Sequence, residues 1–193
     1  MIITKRPVRP GQRGFTLIEL IIFIVIVTVA LAGVLSVLTQ STSRSVDPQL
    51  RRQALAIAES LLEEVQLMPF TYCDPDDPTV DSATSATLGA GACTALVEAM
   101  GPEAGEARNG ATLFDNVNDY NGFAMASGIT DITGTAVPGL GAYSASVAVQ
   151  AAALGTISAA GDALRITVTV TGPGATAIKL EGWRTRHAPN AAY

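Results

Sequence analysis

The chain has 193 residues, with 12 Lys and Arg against 17 Asp and Glu, a net charge of −5 and a pI near 4.8. Phosphate neutralisation dominates nucleic-acid affinity, so this acidic balance argues against a protein held to polyanions by bulk charge. The length, less a leader and an apolar segment, leaves room for one globular domain of ordinary size.

The first element is a leader, residues 1–14, with four cations (Lys5, Arg6, Arg9 and Arg13) and no acid. Without these four, eight cations face 17 acids, a side-chain charge of −9 on the remainder. From Phe15 to Leu38 the chain is apolar for 24 residues. As a helix this run measures about 36 Å against a hydrocarbon core of about 30 Å, enough to span with some tilt. The flanking cations leave the leader in the cytoplasm and send everything after residue 38 outward.

Glu19 is the only acid in this run. An ionised carboxylate inside a bilayer costs about 2.5–3.5 kcal/mol on insertion scales and needs a partner. A cut after Gly14 would create one: an α-amino group on Phe15, one helical turn from Glu19 and cationic near neutral pH. Between molecules, the same amine could meet a neighbour's carboxylate and set an axial register. The words Gly14-Phe15-Thr16-Leu17-Ile18-Glu19-Leu20 resemble the class III signal of type IV pilins and type II secretion pseudopilins. The resemblance implies cleavage after Gly14 by a prepilin peptidase, N-methylation of Phe15, and an assembly role for Glu19. The other readings are a plain signal anchor and a secretory peptide cut near Ala30-Leu31-Ala32. Against the secretory peptide stand an acid at the start of the apolar run and a helical pattern that continues past Gly33.

The polar stretch Thr39 to Ser45 leads to Asp47-Pro48, read either as cap and first turn of a renewed helix or as a kink in one long helix. From Leu50 to Met68 apolar residues recur every three or four positions, and Pro69 ends the pattern. Residues 39–68 are thus an amphipathic continuation of the 15–38 helix. Together they span Phe15 to Met68, about 80 Å if helical throughout. This matches the spine helix implied by the resemblance, with a membrane and filament-core half followed by a half laid on a sheet.

Residues 69–141 are loop-rich. Cys73 and Cys93 are the only cysteines, and export to an oxidising compartment predicts a disulfide between them worth about 3 kcal/mol. No histidine accompanies them to suggest a metal site, because the single His187 lies far along the chain. Asp74, Asp76 and Asp77, with Asp115 and Asp119, are oxygen ligands of the kind calcium takes. Neither stretch fits the twelve-residue calcium loop, so solvated Asx-rich turns are the preferred reading, with calcium as the minority alternative and no other cofactor expected. One short helix is expected near Ala95 to Met100. Residues 142–193 carry β-branched, alternating runs at 142–149, 163–171 and 177–186, with a turn at Gly172-Pro173-Gly174. The expected fold is α+β and pilin-like, an antiparallel sheet of three or four strands against the spine helix.

Lys179, Trp183, Arg184, Arg186, His187 and Tyr193 combine cations with aromatics near the end, and strand-face charges are preferred over a DNA-capture patch. No Gly-x-Ser-x-Gly or histidine-containing constellation points to an enzyme. The words Leu67 to Pro78, Phe114 to Gly122 and Trp183 to Asn190 are similar to minor pilins of the mannose-sensitive haemagglutinin (MSHA) pilus. The cysteine pair directly follows the spine helix, whereas major type IV pilins usually place theirs around a C-terminal loop. The resemblance implies a low-abundance subunit for pilus assembly or initiation and surface attachment. Its partners would be other pilin helices, a prepilin peptidase, an inner-membrane assembly platform and the membrane itself. A minor pseudopilin of a type II secretion system shares the N-terminal features.

Overall fold

The computed structural model describes residues 14–157 and 161–191, and gives backbone alone for residues 40–47 of the first helix. The leader cations, the polar side chains of Gln40 to Ser45, Asp47 as a cap, and Tyr193 lie outside what it describes. The chain divides into two compact units, Met1–Val46 and Asp47–Tyr193.

Helix α1 runs from Leu17 to Leu67, 51 residues, with Pro48 inside it. Of the two readings at Asp47-Pro48, one long helix in place of a renewed one is the observed one. Pro48 brings no backbone N–H, and it lies beside the boundary between the two units.

In the first unit the side chains from Phe15 to Leu38 are exposed, apart from a half-buried Val27. A helix that is apolar all round must be covered by lipid or by other protein.

The second unit is a head built on the rest of α1. Ala54, Ile57, Ala58, Leu61 and Val65 are buried at the three- and four-residue spacing read in the sequence. They pack against a four-stranded antiparallel sheet of order β1-β2-β3-β4: Ala124–Met125, Ser144–Ala151, Ala163–Gly172 and Thr176–Thr185. Alternation places Ala145, Val147 and Val149 of β2 and Ile166, Val168 and Val170 of β3 in this core. Gly182 of β4 lets α1 approach closely, since a Cβ there would lie 2.5 Å from Gln66 Nε2 and 2.9 Å from Leu62 Cδ1 and those side-chain ends would have to move. β1, only two residues long, extends the sheet into the 69–141 region that the sequence marks as loop.

The expected helix near Ala95 to Met100 does not form. The N–H groups of Ala95 and Leu96 donate to Asp77 Oδ2 at 2.7 and 2.8 Å, and Val97 bridges antiparallel to Cys73. A carboxylate has taken the donors that a helix would direct inward. The short helix of this region is instead a 3-10 turn, Val117–Tyr120, closed by a capping box in which Asn116 and Asp119 each accept from the other's backbone.

Candidate functional site

At the start of α1, Thr16 is the cap. Its carbonyl accepts from Glu19 N and Leu20 N at 3.1 and 3.2 Å, and its Oγ1 accepts from Glu19 N at 3.4 Å. Thr16-Leu17-Ile18-Glu19 thus has the spacing of a capping box, with Glu19 in the first turn at the positive end of the helix dipole. The spacing was visible in the sequence, but the pairing of Glu19 with an amine overshadowed it. Farther along, Thr28 Oγ1 donates to Ile24 O and Val25 O, both at 2.9 Å. Thr39 does the same to Leu35 O and Ser36 O. These hydroxyls need no water, as a lipid-facing helix demands. The span Leu17–Thr39, 23 residues of mean hydropathy 3.0, is long and apolar enough to cross a membrane.

Residues 9–35 match the prokaryotic N-terminal methylation motif. The N-methylation motif covers the end of the leader and most of the apolar helix and leaves the head unassigned. It supports placement among type IV pilins and prepilins, and with it membrane anchoring, prepilin peptidase processing and association with other subunits. Comparisons with curated proteins and with solved structures found no match. Gly14 precedes the helix, and both it and Phe15, 86% accessible, are exposed among the described residues.

In the head, Cys73 and Cys93 form a disulfide that sits in a small core of its own with Val80 and Ala83. Asp77, one of the five calcium candidates, belongs to this loop and not to a metal cluster. It is 1% exposed, and its two oxygens accept from the N–H groups of Thr79, Thr94, Ala95 and Leu96 and from the Thr79 hydroxyl. These bonds, led by that from Leu96, hold its carboxyl well below the usual range.

The other four candidates come together. One oxygen each from Asp74, Asp76 and Asp115 lies within 4.8 Å of the others. A second group joins Asp74 to Glu103 and Glu106, and a third joins Asp119 to Glu98 and Glu103. The three glutamates come from a stretch with no sequence pattern, which is why spacing alone did not reveal them. Nor are these turns simply solvated: Asp74 is 3% and Asp119 0% exposed, with only Asp76 open. Burial pushes Glu98 up to about 10, helped by the charges of Asp119, Glu103 and Asp74. Burial likewise raises Asp115 and Asp119 to about 7, with Glu106 adding to both.

A third polar centre joins α1 to the loops. Arg108 is 7% exposed and forks onto Glu64 at 2.6 and 2.7 Å, while Tyr120 donates to Glu64 Oε1 at 2.7 Å. Arg108 also donates to Thr130 O and Asp131 O. Beside it an apolar groove of about 510 Å³ runs between Ile57 and Leu61 of α1 and Ile129 and Leu140.

The C-terminal cations are committed to structure. Lys179 pairs with Glu181 at 2.8 Å, Arg184 donates to Met68 O at 3.0 Å, and Arg186 lies 4.1 Å over Phe70 and 4.9 Å over Tyr72 while pairing with Asp162. They do not form an open basic patch.

Proposed function

We infer that this chain is a minor pilin, similar to the D-type minor pilin of the MSHA pilus, and takes part in assembly or initiation of a pilus for surface attachment. A prepilin peptidase cuts after Gly14, Phe15 is N-methylated, and the Leu17–Thr39 helix waits in the inner membrane with the head on the periplasmic side. Assembly then moves the helix from lipid into a bundle of like helices, the role of the machinery being to drive the transfer. The observation that carries this reading is the apolar helix with its one acid, Glu19, in the first turn directly behind Gly14 and Phe15.

The amine freed on Phe15 lies at the positive pole of its own helix, which disfavours it there, whereas Glu19 of a neighbouring subunit offers a carboxylate. In a dry helix bundle that pairing is worth far more than in water. The role is structural and not enzymatic.

The deciding experiment is the N-terminal sequence and intact mass of the protein from membranes of its own host. A start at Phe15 with one added methyl group is expected. An uncut Met1, or a start at Gly33, would overturn the filament reading. Deleting the gene then separates the two machines: loss of surface pili supports the pilus assignment, and loss of a secreted enzyme supports a type II secretion pseudopilin.

A further inference from the structure

The acidic cluster of the head has the wrong electrostatics for a finished protein interior. Its three groups run into one another, since Asp74 and Glu103 each belong to two of them. Among the described residues the ion pairs are Arg108 with Glu64, Lys179 with Glu181 and Arg186 with Asp162, and none involves the cluster. Self-pairing uses little of its capacity: Asp119 Oδ2 accepts from Asp115 N and Asn116 N, Asp74 Oδ1 from Asp76 N, and Glu106 Oε2 from Glu103 N. Both carboxylate oxygens of Glu98, both of Glu103, and Oδ1 of the fully buried Asp119 are out of solvent with no hydrogen-bond partner. Such orphaned oxygens are costly and rare in folded proteins, and here they belong to the carboxylates of one group.

The geometry points to a calcium site in the head, with the buried oxygens of Glu98, Glu103 and Asp119 as its ligands and the adjoining carboxylates of Asp74, Asp76, Glu106 and Asp115 beside them. An all-oxygen, carboxylate-rich set suits a hard cation and excludes the soft transition metals. Calcium binds oxygens at about 2.3–2.6 Å, so ligands on opposite sides of one ion stand about 4.6–5.2 Å apart. Within each group the oxygens lie no more than 4.8 Å apart, within the span of a calcium shell. Magnesium would need opposite ligands about 4.1 Å apart and strict octahedral geometry. The ligands come from three separate stretches, 74–76, 98–106 and 115–119, and so match no linear calcium motif. Between them, β-ladder pairing is confined to isolated bridges such as Cys73 with Val97. The ion would tie the turn beside the disulfide to the 3-10 turn that leads into β1.

This inference is independent of the filament reading. The test uses the full chain in non-ionic detergent, stripped with EDTA and titrated with calcium chloride by calorimetry and by thermal unfolding, with magnesium and sodium chloride as comparisons. Saturable binding is expected at or below about 1 mM, with unfolding raised by about 5 °C or more at a hundredfold excess over Kd. Glu98→Gln with Glu103→Gln should weaken calcium binding tenfold or more, yet leave the calcium-free protein no less stable, because a neutral amide of the same shape replaces carboxyls whose charged form burial disfavours. A purely structural role for these glutamates would instead lower stability with and without calcium. Asp131→Asn, outside the cluster, should keep the full response. No heat and no shift at about 5 mM calcium, an equal response to magnesium or sodium, or unchanged affinity in the double variant would each overturn the proposal. Should the variants fail to fold, the titration of the unaltered chain decides.

Discussion

Glu64 shows how one side chain can hold a loop-rich region to a helix. Burial alone would raise its carboxyl, but the fork from Arg108, the Tyr120 hydroxyl and the arginine's charge outweigh burial and leave it below its ordinary value of 4.5. Arg108 is buried around this contact, so Glu64→Ala leaves a buried guanidinium without its counter-charge, held only by the Thr130 and Asp131 carbonyls, and a phenol without its acceptor. The expected loss is about 3–5 kcal/mol, read by thermal or urea unfolding of the full chain in detergent. Glu64→Gln keeps an acceptor for Tyr120 and should cost less. The sign with pH follows from linkage. A carboxyl depressed by folding binds fewer protons in the native state, so its contribution is fully present above 4.5 and is lost as pH falls through the lower native value. The stability gap between the parent and Glu64→Gln should therefore be constant near neutrality and close below about pH 4. A gap that persisted into acid would show that shape, and not charge, holds the contact.

At the scale of elements, the disulfide organises a region that regular structure does not. Its loop has its own small core, a buried carboxylate in Asp77 that receives four backbone N–H groups, and a link to the chain end, where Asn190 donates to Val80 O and Ala83 O. Replacing Cys73 and Cys93 by serine should lower stability by about 3 kcal/mol, about 6–12 °C in Tm, and reduction of the parent should give the same shift. Equal melting in both states would mean that Asp77 and Asn190 suffice. These elements also mark where sequence was legible. α1 and strands β2 to β4 follow from a three-to-four-residue apolar period and from β-branched alternation, local signals that tertiary contacts reinforce. The middle carries no such period, because its residues are held by side chain to backbone bonds between distant positions, such as Asp77 with Leu96. Glu98, Glu103 and Glu106 could not be joined to Asp74 and Asp119 from spacing, since only the folded loops make them neighbours. The N-terminal methylation motif lay open in the sequence because its core is a contiguous word from Gly14 to Leu20.

For the whole molecule, the decisive feature is an apolar helix, Leu17 to Thr39, that carries one acid at its first turn. That acid admits two physical accounts. As a capping residue, Glu19 would serve its own helix through the Thr16-x-x-Glu19 box, and glutamine would replace it with little loss. As a charge partner, it would serve a neighbouring subunit by meeting the Phe15 amine, and glutamine would fail. Substituting Glu19 in the host and following both cleavage and incorporation into filaments separates the accounts. Glu19→Ala should leave cleavage after Gly14 near normal and abolish incorporation. Glu19→Gln should behave like alanine, because a neutral amide does not compensate an ammonium group in a dry interface. Incorporation restored by glutamine would assign Glu19 to the cap alone and remove the charge pair from the assembly step. Thr16→Ala completes the comparison: it takes away the cap hydroxyl at a cost of about 1 kcal/mol to its own helix, while leaving the carboxylate free to meet the neighbour. Incorporation should therefore survive Thr16→Ala and not Glu19→Gln, an order that only the intermolecular pairing produces.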